Sequence, residues 1–392
     1  MNRDPVGEPR QRLRTVGIAP GILPPGLHNA ITDVPGVSVG HVTVIRDDNI
    51  RTGATAILPH GGNLYLERVP AGIAVANGYG KLMGLTQVAE LGELETPIVL
   101  TNTLAVPRAA DAIMDWTLSQ SMTTKIRSIN PVVGETNDGR LNAIEKRVLT
   151  SDQILEAITR ASSQPPVEGN VGAGTGTVAF GWKGGIGTSS RLLPQSLGGY
   201  CVGILVQSNF GGVLQILGAP IGQLLRQHYL YANLSEFTQR EEASEHKQVA
   251  EARGRADETA DGSIMIVIAT NAPLSDRNLA RLARRAFAGL ARTGSSFTNG
   301  SGDYAIAFST AGSVRRTPER RKSVSAMPTL GNHAITPLFQ AVIEATEEAI
   351  INSLFMAETM TGRDDTTIEA LPLERVLPML LSHNAIQAVS KE

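Results

Sequence analysis

Short apolar runs of strand length alternate with turns along the first part of the chain. Val, Ile and Thr dominate these runs, and Gly, Pro or Asn closes each one, a pattern typical of β-strands bounded by turns. The runs are VPGVSVGHVTV, GATAILP, AGIAVANGYG and TPIVLTNT. Helical periodicity is clearer at 106–119, 152–162 and 214–228, so this part is predicted to mix strands with helices.

A long polar segment, residues 231–261, follows these elements and has almost no large apolar side chains after Phe237. It predicts an exposed helix that frays into a loop, or disorder in its second half, because it buries too little apolar surface to offset its ordering entropy. The first 20 residues are also polar and predict a flexible arm. The polar segment divides the chain into a larger and a smaller part.

The smaller part opens with an apolar strand at 263–270 and a well-marked helix. Ser275 is a good N-cap for this helix, and Gly294 stands where a C-cap glycine belongs. Arginines fall mostly off its apolar stripe and predict a solvated face or a subunit contact: Arg277, Arg281, Arg284 and Arg285. The loop TGSSFTNGSGD then leads into the strand YAIAFST, and a later amphipathic helix is predicted from about 337 to 360.

Composition narrows the possible partners. The 392 residues carry a formal charge of -2, without the basic excess that nucleic-acid binding requires. Small molecules and other subunits are therefore the expected partners. The polar N-terminus and the absence of a bilayer-length apolar run predict a cytoplasmic protein without a membrane anchor. The single cysteine, Cys201, allows no intramolecular disulfide and is expected to be a buried structural thiol.

Familiar cofactor and catalytic motifs are missing from the sequence. The glycine-rich stretches GAGTGTVA and KGGIGTSS lack the spacing and the terminal Gly-Lys-Ser/Thr of phosphate loops. The seven histidines show no metal-binding pairing, and a structural role is expected for His41 and His60. No Gly-x-Ser-x-Gly elbow is present. Neither a metal nor a cofactor is predicted.

One serine stands at an unusual border, in the stretch DGSIMIVIA. If the peptide bond between Gly262 and Ser263 were cut, Ser263 would become an N-terminus whose own α-amine could act as the base for its hydroxyl. An α-amine has an ordinary pKa near 8, which leaves a useful neutral fraction at cellular pH. Most serines at such borders only cap a turn, and the residues alone leave both interpretations open.

Ordered sequence blocks resemble the L-aminopeptidase D-amidase/esterase group, which includes the β-peptidyl aminopeptidases. They run from about residue 28 to 364, and among them are NAITDVPGVSVGHVTV, VVGETNDGRLN, KGGIGTSSR, LGGYCVGILVQSNFG, DGSIMIVIATNAPL and NGSGDYAIAFST. The resemblance implies an α+β fold, a four-layer αββα sandwich similar to N-terminal nucleophile hydrolases but with different connectivity. It also implies a homo-oligomer of αβ units, each made by self-cleavage at Gly262-Ser263.

The implied domain organisation is a single αββα domain built from two chains. Residues 1–20 form the arm, 21–262 the larger α chain with its polar linker at about 231–262, and 263–392 the smaller β chain. The implied activity is that of a serine aminopeptidase or amidase, which cleaves N-terminal residues from small peptides, amides or esters. Substrates with β-amino or D-residues are included in that expectation.

The resemblance also assigns roles to single residues. Ser263 matches the nucleophile, and Ser301 and Asp303 match its supporting residues, so either this pair or the Ser263 amine is the base. Asn209 matches the oxyanion-stabilising asparagine. Glu135 matches the acidic residue that receives the substrate ammonium. Asn137 lies close to the implied substrate pocket, at a position where the family commonly has an aromatic residue.

Two other activities stay open at this point. Related proteins with a threonine nucleophile are endo-hydrolases of ω-amino acid oligomers, and the similarly folded ornithine acetyltransferases pass the acyl group to an amine instead of water. A protein that never matures and serves as a binding module is the non-enzymatic alternative.

Overall fold

The computed structural model describes residues 9–120, 125–235 and 262–383. Its strands, in chain order, are β1 Ser38–Arg46, β2 Ile50–Leu58, β3 Val69–Gly78, β4 Leu82–Met83, β5 Glu93–Leu94, β6 Ile98–Asn102, β7 Val132–Thr136, β8 Val178–Ala179, β9 Trp182–Lys183, β10 Gly185–Leu192, β11 Cys201–Asn209, β12 Ser263–Thr270, β13 Gly302–Ser309, β14 Met360–Thr361 and β15 Thr367–Ile368. Its helices are α1 Leu85–Leu91, α2 Val106–Ser119, α3 Ser151–Thr159, α4 Ile221–Leu224, α5 Asp276–Arg292, α6 Pro318–Lys322, α7 Thr336–Phe355 and α8 Leu373–Ser382.

Two sheets pack face to face and helices cover their outer faces. One sheet has the order β1-β2-β6-β7-β4 and the other has the order β10-β11-β12-β13-β3-β5. Three apolar cores separate the layers: one between the sheets, one under α2 and α3, and one under α5 and α7. The predicted α+β class and the four-layer αββα arrangement are confirmed.

The central strands of the second sheet carry the elements that the sequence pattern predicts most clearly. Strand β12 occupies the predicted residues, and all eight of them are buried because sheet and helix cover its two faces. Helix α5 begins after Ser275, whose side chain accepts a hydrogen bond from the Asn278 amide. Gly294, with φ at +90°, follows the end of this helix. Helix α5 connects β12 to β13, which run parallel.

The segment 214–228 differs from its predicted helix, because only Ile221–Leu224 is helical. Leu214 and Ile216 are buried two residues apart, as in a strand, and the neighbouring amides of Val213 and Gln215 pair with the backbone beyond α5. Gly218, with φ at +80°, and Pro220 interrupt the helical pattern. Tertiary backbone pairing has overridden the local periodicity. The later predicted helix, α7, ends at Phe355 rather than near 360.

The described part of the predicted flexible arm, residues 9–20, is packed against the body. Leu13 and Ile18 are fully buried, which the polar composition of the arm does not suggest. Arg12 pairs with Glu168 at 2.7 Å and Arg14 pairs with Glu348 at 2.8 Å. These partners are remote in sequence, so no local pattern could reveal them. Residues 1–8 and most of the predicted linker, 236–261, lie outside the described residues.

Within the described ranges, no helix combines the length and the apolar character needed to cross a bilayer.

Candidate active site

Three strand ends meet at one end of the second sheet. Asn209 is the last residue of β11 and lies opposite Ser263, the first residue of antiparallel β12. Ser263 in turn lies opposite Gly302, the first residue of parallel β13. Three residues from distant parts of the sequence are therefore neighbours, because the sheet brings their strand ends into register.

A cavity of about 280 Å³ opens at these strand ends. Five of the residues singled out from the sequence line it: Glu135, Asn137, Asn209, Gly262 and Ser263. Ser301 and Asp303 do not line the cavity themselves, but they flank Gly302, which pairs with the cavity-lining Ser263. Its other lining residues are Tyr79, Gly80, Lys81, Thr103, Arg140, Val178, Gly181, Phe210 and Gly300.

The Gly262-Ser263 peptide bond lies at the cavity wall in a tightly constrained position. The Gly302 amide lies 3.2 Å from the Gly262 carbonyl oxygen and 3.2 Å from the Ser263 Oγ, and it donates to both. A Cβ atom on Gly262 would lie 2.0 Å from the Asn209 carbonyl oxygen. Only glycine fits before Ser263, since any side chain would collide with the backbone of β11.

Ser301 and Asp303 form a hydrogen-bonded pair beside Ser263. The Ser301 hydroxyl donates to Asp303 Oδ1 at 2.7 Å, and Asp303 is fully buried. Burial raises the pKa of Asp303 to about 6, against the opposing effect of the Ser301 hydrogen bond. Its Oδ2 is buried without a hydrogen-bond partner among the described residues. A carboxyl group with a pKa near 6 can exchange a proton at neutral pH, as acid-base chemistry requires.

The Asn209 side chain has a fixed orientation. Its Oδ1 accepts a hydrogen bond from the Val178 amide at 2.9 Å, so the side-chain NH2 is the group left to serve as a donor at the cavity. Asn209 is 6% exposed, and a donor held there by backbone pairing needs little reorganisation to meet an oxyanion.

A buried lysine braces the segment that orients Asn209. The Lys183 Nζ donates to the carbonyl oxygens of Gly174, Thr177 and Gly184 at 2.8–3.0 Å, which uses all three ammonium protons. Burial lowers the pKa of Lys183 to about 7, while the charge of nearby Asp138 raises it. Because Thr177 precedes Val178, Lys183 holds in place the amide that binds Asn209.

Glu135 presents a buried carboxylate at the cavity wall. It is 2% exposed; its Oε1 accepts from the Lys81 amide at 2.8 Å, and its Oε2 accepts from the Thr103 hydroxyl. Each oxygen retains a lone pair, so the carboxylate can also bind a cation that enters the cavity. Asn137 is exposed on the following turn, where its Oδ1 accepts from the Gly139 amide.

Several contributors to this site carry no signal that sequence reasoning could use. Gly302 contributes its backbone amide, which nearly every residue type has, so the sequence does not reveal it. Tyr304 packs at the same end of β13, where its hydroxyl donates to the Gly80 carbonyl at 2.7 Å. Lys183 does have a sequence signal, since it is a lone lysine inside the apolar stretch AFGWKGGIG.

None of the described histidines lines the cavity at Ser263, and neither does the cysteine. Burial lowers the pKa of His41 to about 4, and its Nδ1 is paired with the Thr55 hydroxyl at 2.9 Å. His60 is tied to the Glu67 carbonyl at 2.8 Å. Cys201 is buried in β11, and burial raises the pKa of its thiol to about 12. Over the described ranges, no His, Cys, Asp and Glu residues cluster in a way that could hold a metal ion.

Comparison with known proteins identifies the family. The profile of peptidase family S58 matches residues 29–368. The chain belongs to peptidase family S58. Two proteins with similar sequences are both named β-peptidyl aminopeptidase BapA. The one from Sphingosinicella microcystinivorans is 39% identical and covers 96% of this chain and 93% of its own length. The one from Sphingosinicella xenopeptidilytica is 38% identical, with coverages of 93% and 90%.

Solved structures agree with the S58 assignment. A β-aminopeptidase from a Burkholderia species has a TM-score of 0.81 and 36% identity, and the match covers 95% of this chain and 99% of that one. The L-aminopeptidase D-Ala-esterase/amidase from Ochrobactrum anthropi has a TM-score of 0.83 and 33% identity, with coverages of 97% and 100%. That protein is described as a new variant among the Ntn hydrolase folds. The predicted family is thus confirmed, and this S58 chain is a serine-type peptidase with aminopeptidase or amidase activity.

Proposed function

We propose that the chain cuts itself between Gly262 and Ser263 and then removes N-terminal residues from peptides, amides or esters through an acyl-enzyme on Ser263. One observation carries this proposal: the Gly262-Ser263 bond lies at the wall of the cavity, where the Gly302 amide contacts both the Gly262 carbonyl oxygen and the Ser263 Oγ. The products are a larger α chain and a smaller β chain of one domain, and αβ units are expected to form a homo-oligomer.

Self-cleavage starts with attack of the Ser263 Oγ on the Gly262 carbonyl carbon. The carbon-nitrogen bond breaks as an ester forms, the nitrogen takes up a proton to become the α-amine of Ser263, and water then hydrolyses the ester. The Gly302 amide is in place to donate to the carbonyl oxygen as it gains negative charge. Gly262 is required because any side chain there would displace the bond from this contact.

Substrate cleavage repeats the chemistry with an external carbonyl group. Ser263 loses its proton either to its own α-amine or to the Ser301-Asp303 pair, whose buried carboxylate has a pKa raised to about 6. The Asn209 amide stabilises the oxyanion, and the leaving amine departs with a proton. Water then hydrolyses the acyl-enzyme. No metal or cofactor takes part in this proposal.

Glu135 gives the reaction its restriction to N-termini. Its buried carboxylate accepts two hydrogen bonds from the protein and can accept a further charge-assisted one, which the free ammonium of the substrate would donate. Asn137 contributes to the pocket for the residue that is removed. Small peptides and amino acid amides are the expected substrates. Substrates with β-amino residues or D-residues are included, because related proteins are named β-peptidyl aminopeptidase and D-Ala-esterase/amidase. A cytoplasmic location remains a prediction.

Paired substrates test the proposal. Amino acid p-nitroanilides with α- and β-amino residues should be hydrolysed, and their N-acetylated counterparts should be cleaved at least about 100-fold more slowly, because acetylation removes the ammonium charge. Glu135→Gln should raise KM for the free substrates and leave the slow acetylated reaction unchanged.

Other results would point to other functions. Equal rates on acetylated and free substrates would contradict the aminopeptidase proposal and favour an endo-hydrolase of ω-amino acid oligomers. Transfer of the acyl group to added amine in excess of hydrolysis, at modest amine concentration, would favour an acyltransferase.

A further inference from the structure

A second cavity, of about 260 Å³, adjoins the catalytic one. The two share Arg140 and Gly181 in their linings, so they are joined at these residues. The remaining walls of the second cavity come from Phe180, Gly212 and the segment 226–233. Phe180 in the second cavity packs edge to face against Phe210 in the first, with ring centroids 4.9 Å apart, which gives the junction an aromatic wall.

Charge is unevenly distributed along the two cavities. Glu135 and Lys81 line the catalytic cavity but not the second, Arg140 lies where the two meet, and Arg226 and His228 line only the second. The described residues that line the second cavity include no carboxylate. Neither arginine forms an ion pair with a described residue, and both are exposed. Among the described lining residues, the only carboxylate is therefore that of Glu135 in the catalytic cavity, and the second cavity has arginines without a carboxylate.

Both arginines stand on well-anchored turns rather than on free loops. Arg140 lies two residues after the buried Asp138. The Asp138 carbonyl accepts from the Leu141 and Asn142 amides, and its Oδ1 accepts from the Asn142 side chain. Arg226 has a left-handed backbone, with φ at +55°, and the next residue, Gln227, donates its amide to the Gly222 carbonyl. A guanidinium on a fixed turn loses little backbone entropy when it binds a ligand.

We propose that the second cavity is a leaving-group subsite in which Arg140 binds the C-terminal carboxylate of a short peptide, with Arg226 serving a longer one. The proposal rests on the proposed aminopeptidase function, because it takes Glu135 as the site of the substrate ammonium. A di- or tripeptide is a zwitterion whose positive and negative ends match the two ends of the joined cavities. The guanidinium group suits a carboxylate, since its planar donors can bind both oxygens at once. The favoured substrate class is therefore short peptides with a free C-terminus.

The test compares two substrates that differ only in charge at the C-terminus. A dipeptide with a free carboxylate and the same dipeptide as its C-terminal amide are assayed with wild type, and kcat/KM is compared as an acid-to-amide ratio. We expect a wild-type ratio of about 2 to 5, with the difference in KM, because an ion pair at an exposed site contributes up to about 1 kcal/mol, which is about fivefold. Arg140→Gln should bring the ratio close to 1, and Arg140→Lys should restore part of it.

Control variants separate this role from general damage. Arg284→Gln makes the same charge change on α5, outside both cavity linings, and should keep the wild-type ratio. Arg226→Gln should lower the ratio for a tripeptide more than for a dipeptide. A mutation that only disturbs the fold would slow acid and amide equally and leave the ratio unchanged.

The outcomes also distinguish the subsite from the function on which it rests. A wild-type ratio near 1, or a ratio that Arg140→Gln does not alter, would overturn the subsite while p-nitroanilide hydrolysis still supported the aminopeptidase. Failure of wild type to hydrolyse any substrate with a free amine would overturn both.

Discussion

Two clusters of buried charge in this protein differ in how completely their carboxylates are paired. In the first, between β10 and α7, Arg191 contacts Glu344 at 3.2 Å and Glu348 at 2.8 Å. Arg14 also pairs with Glu348, and backbone amides of 22 and 23 donate to Glu344. In the second, beside Ser263, Asp303 has one oxygen paired with Ser301 and the other without a described partner.

The pKa values of Glu344 and Asp303 are shifted in opposite directions. Although burial alone would raise it, the pKa of Glu344 lies below its ordinary value because of hydrogen bonds from Gln340, Ile22 and Leu23 and the charge of Arg191. Its contribution to stability is therefore present above about 4.5 and is lost as the pH falls. The pKa of Asp303 is raised from 3.8 to about 6, so its contribution is full below about 4 and disappears as the pH rises through about 6.

We infer that the completely paired cluster serves the fold, and we propose that the incompletely paired Asp303 serves the chemistry at Ser263. The first cluster ties α7, β10 and the N-terminal segment together, and its hydrogen bonds and Arg191 hold the pKa of Glu344 below the ordinary value. The second maintains a carboxyl group that is costly to ionise at neutral pH, which is where proton transfer is useful. Variants of the first cluster should change stability without changing activity, and variants of the second should change activity. They therefore test this difference.

The largest effect is expected from removal of the central cation of the first cluster. Arg191→Met should lower the free energy of unfolding by about 3–5 kcal/mol, because Glu344 and Glu348 would stay buried without it. Denaturant unfolding measures this change, and kcat of the folded enzyme should be unaltered. Arg284→Met, on the exposed face of α5, is the matched control and should change stability by less than about 0.5 kcal/mol. Equal stabilities of the two variants would contradict the role given to the first cluster.

Removal of the proposed oxyanion donor, Asn209, should give the next largest effect, this time on activity. Asn209→Asp keeps an acceptor for the Val178 amide but removes the NH2 donor. We expect kcat to fall about 10²- to 10³-fold, measured per processed chain, since loss of one oxyanion donor costs about 3–4 kcal/mol in transition-state stabilisation. Unfolding should change little. Activity within tenfold of wild type would exclude Asn209 as a donor to the oxyanion.

Asp303→Asn should lower activity and raise stability. Activity is expected to fall about 100-fold. The wild type should lose activity as the pH falls below about 6, because the Asp303 carboxylate becomes protonated there. The variant should lack this fall in activity. The free energy of unfolding at pH 7 should rise by about 1–2 kcal/mol, since the variant no longer carries the buried charge. A pH-rate profile and denaturant unfolding measure the two effects. A variant that retained this fall in activity would assign it to another group, such as the Ser263 amine.

The strands and the long helices could be predicted because their patterns agree with the tertiary structure. Strand β12 is uniformly apolar, as expected of a strand covered on both faces, and α5 carries its own cap at Ser275. The border at Ser263 was visible for the same reason: the polar stretch ends where the buried strand begins. The family resemblance added the roles of Asn209, Glu135 and the Ser301-Asp303 pair, and these roles remain predictions.

The remaining features depend on contacts between distant residues. Arg14 pairs with Glu348, 334 residues away, so residues 9–20 resemble a free arm until their partners are known. The run at 214–228 has helical periodicity, but its backbone pairs with the turn after α5. The bracing role of Lys183 depends on three carbonyl oxygens, which no residue pattern encodes. The two joined cavities likewise appear only when Arg140 and Arg226 are brought together by the fold.

The most direct test of the central claim, that Ser263 becomes an N-terminal nucleophile by self-cleavage, is denaturing mass spectrometry of the purified protein. Wild type should give two chains, the smaller beginning at Ser263, and Ser263→Ala should give one uncut chain of 392 residues without activity. A single intact wild-type chain after long incubation, or cleavage of Ser263→Ala at the same bond, would contradict the account.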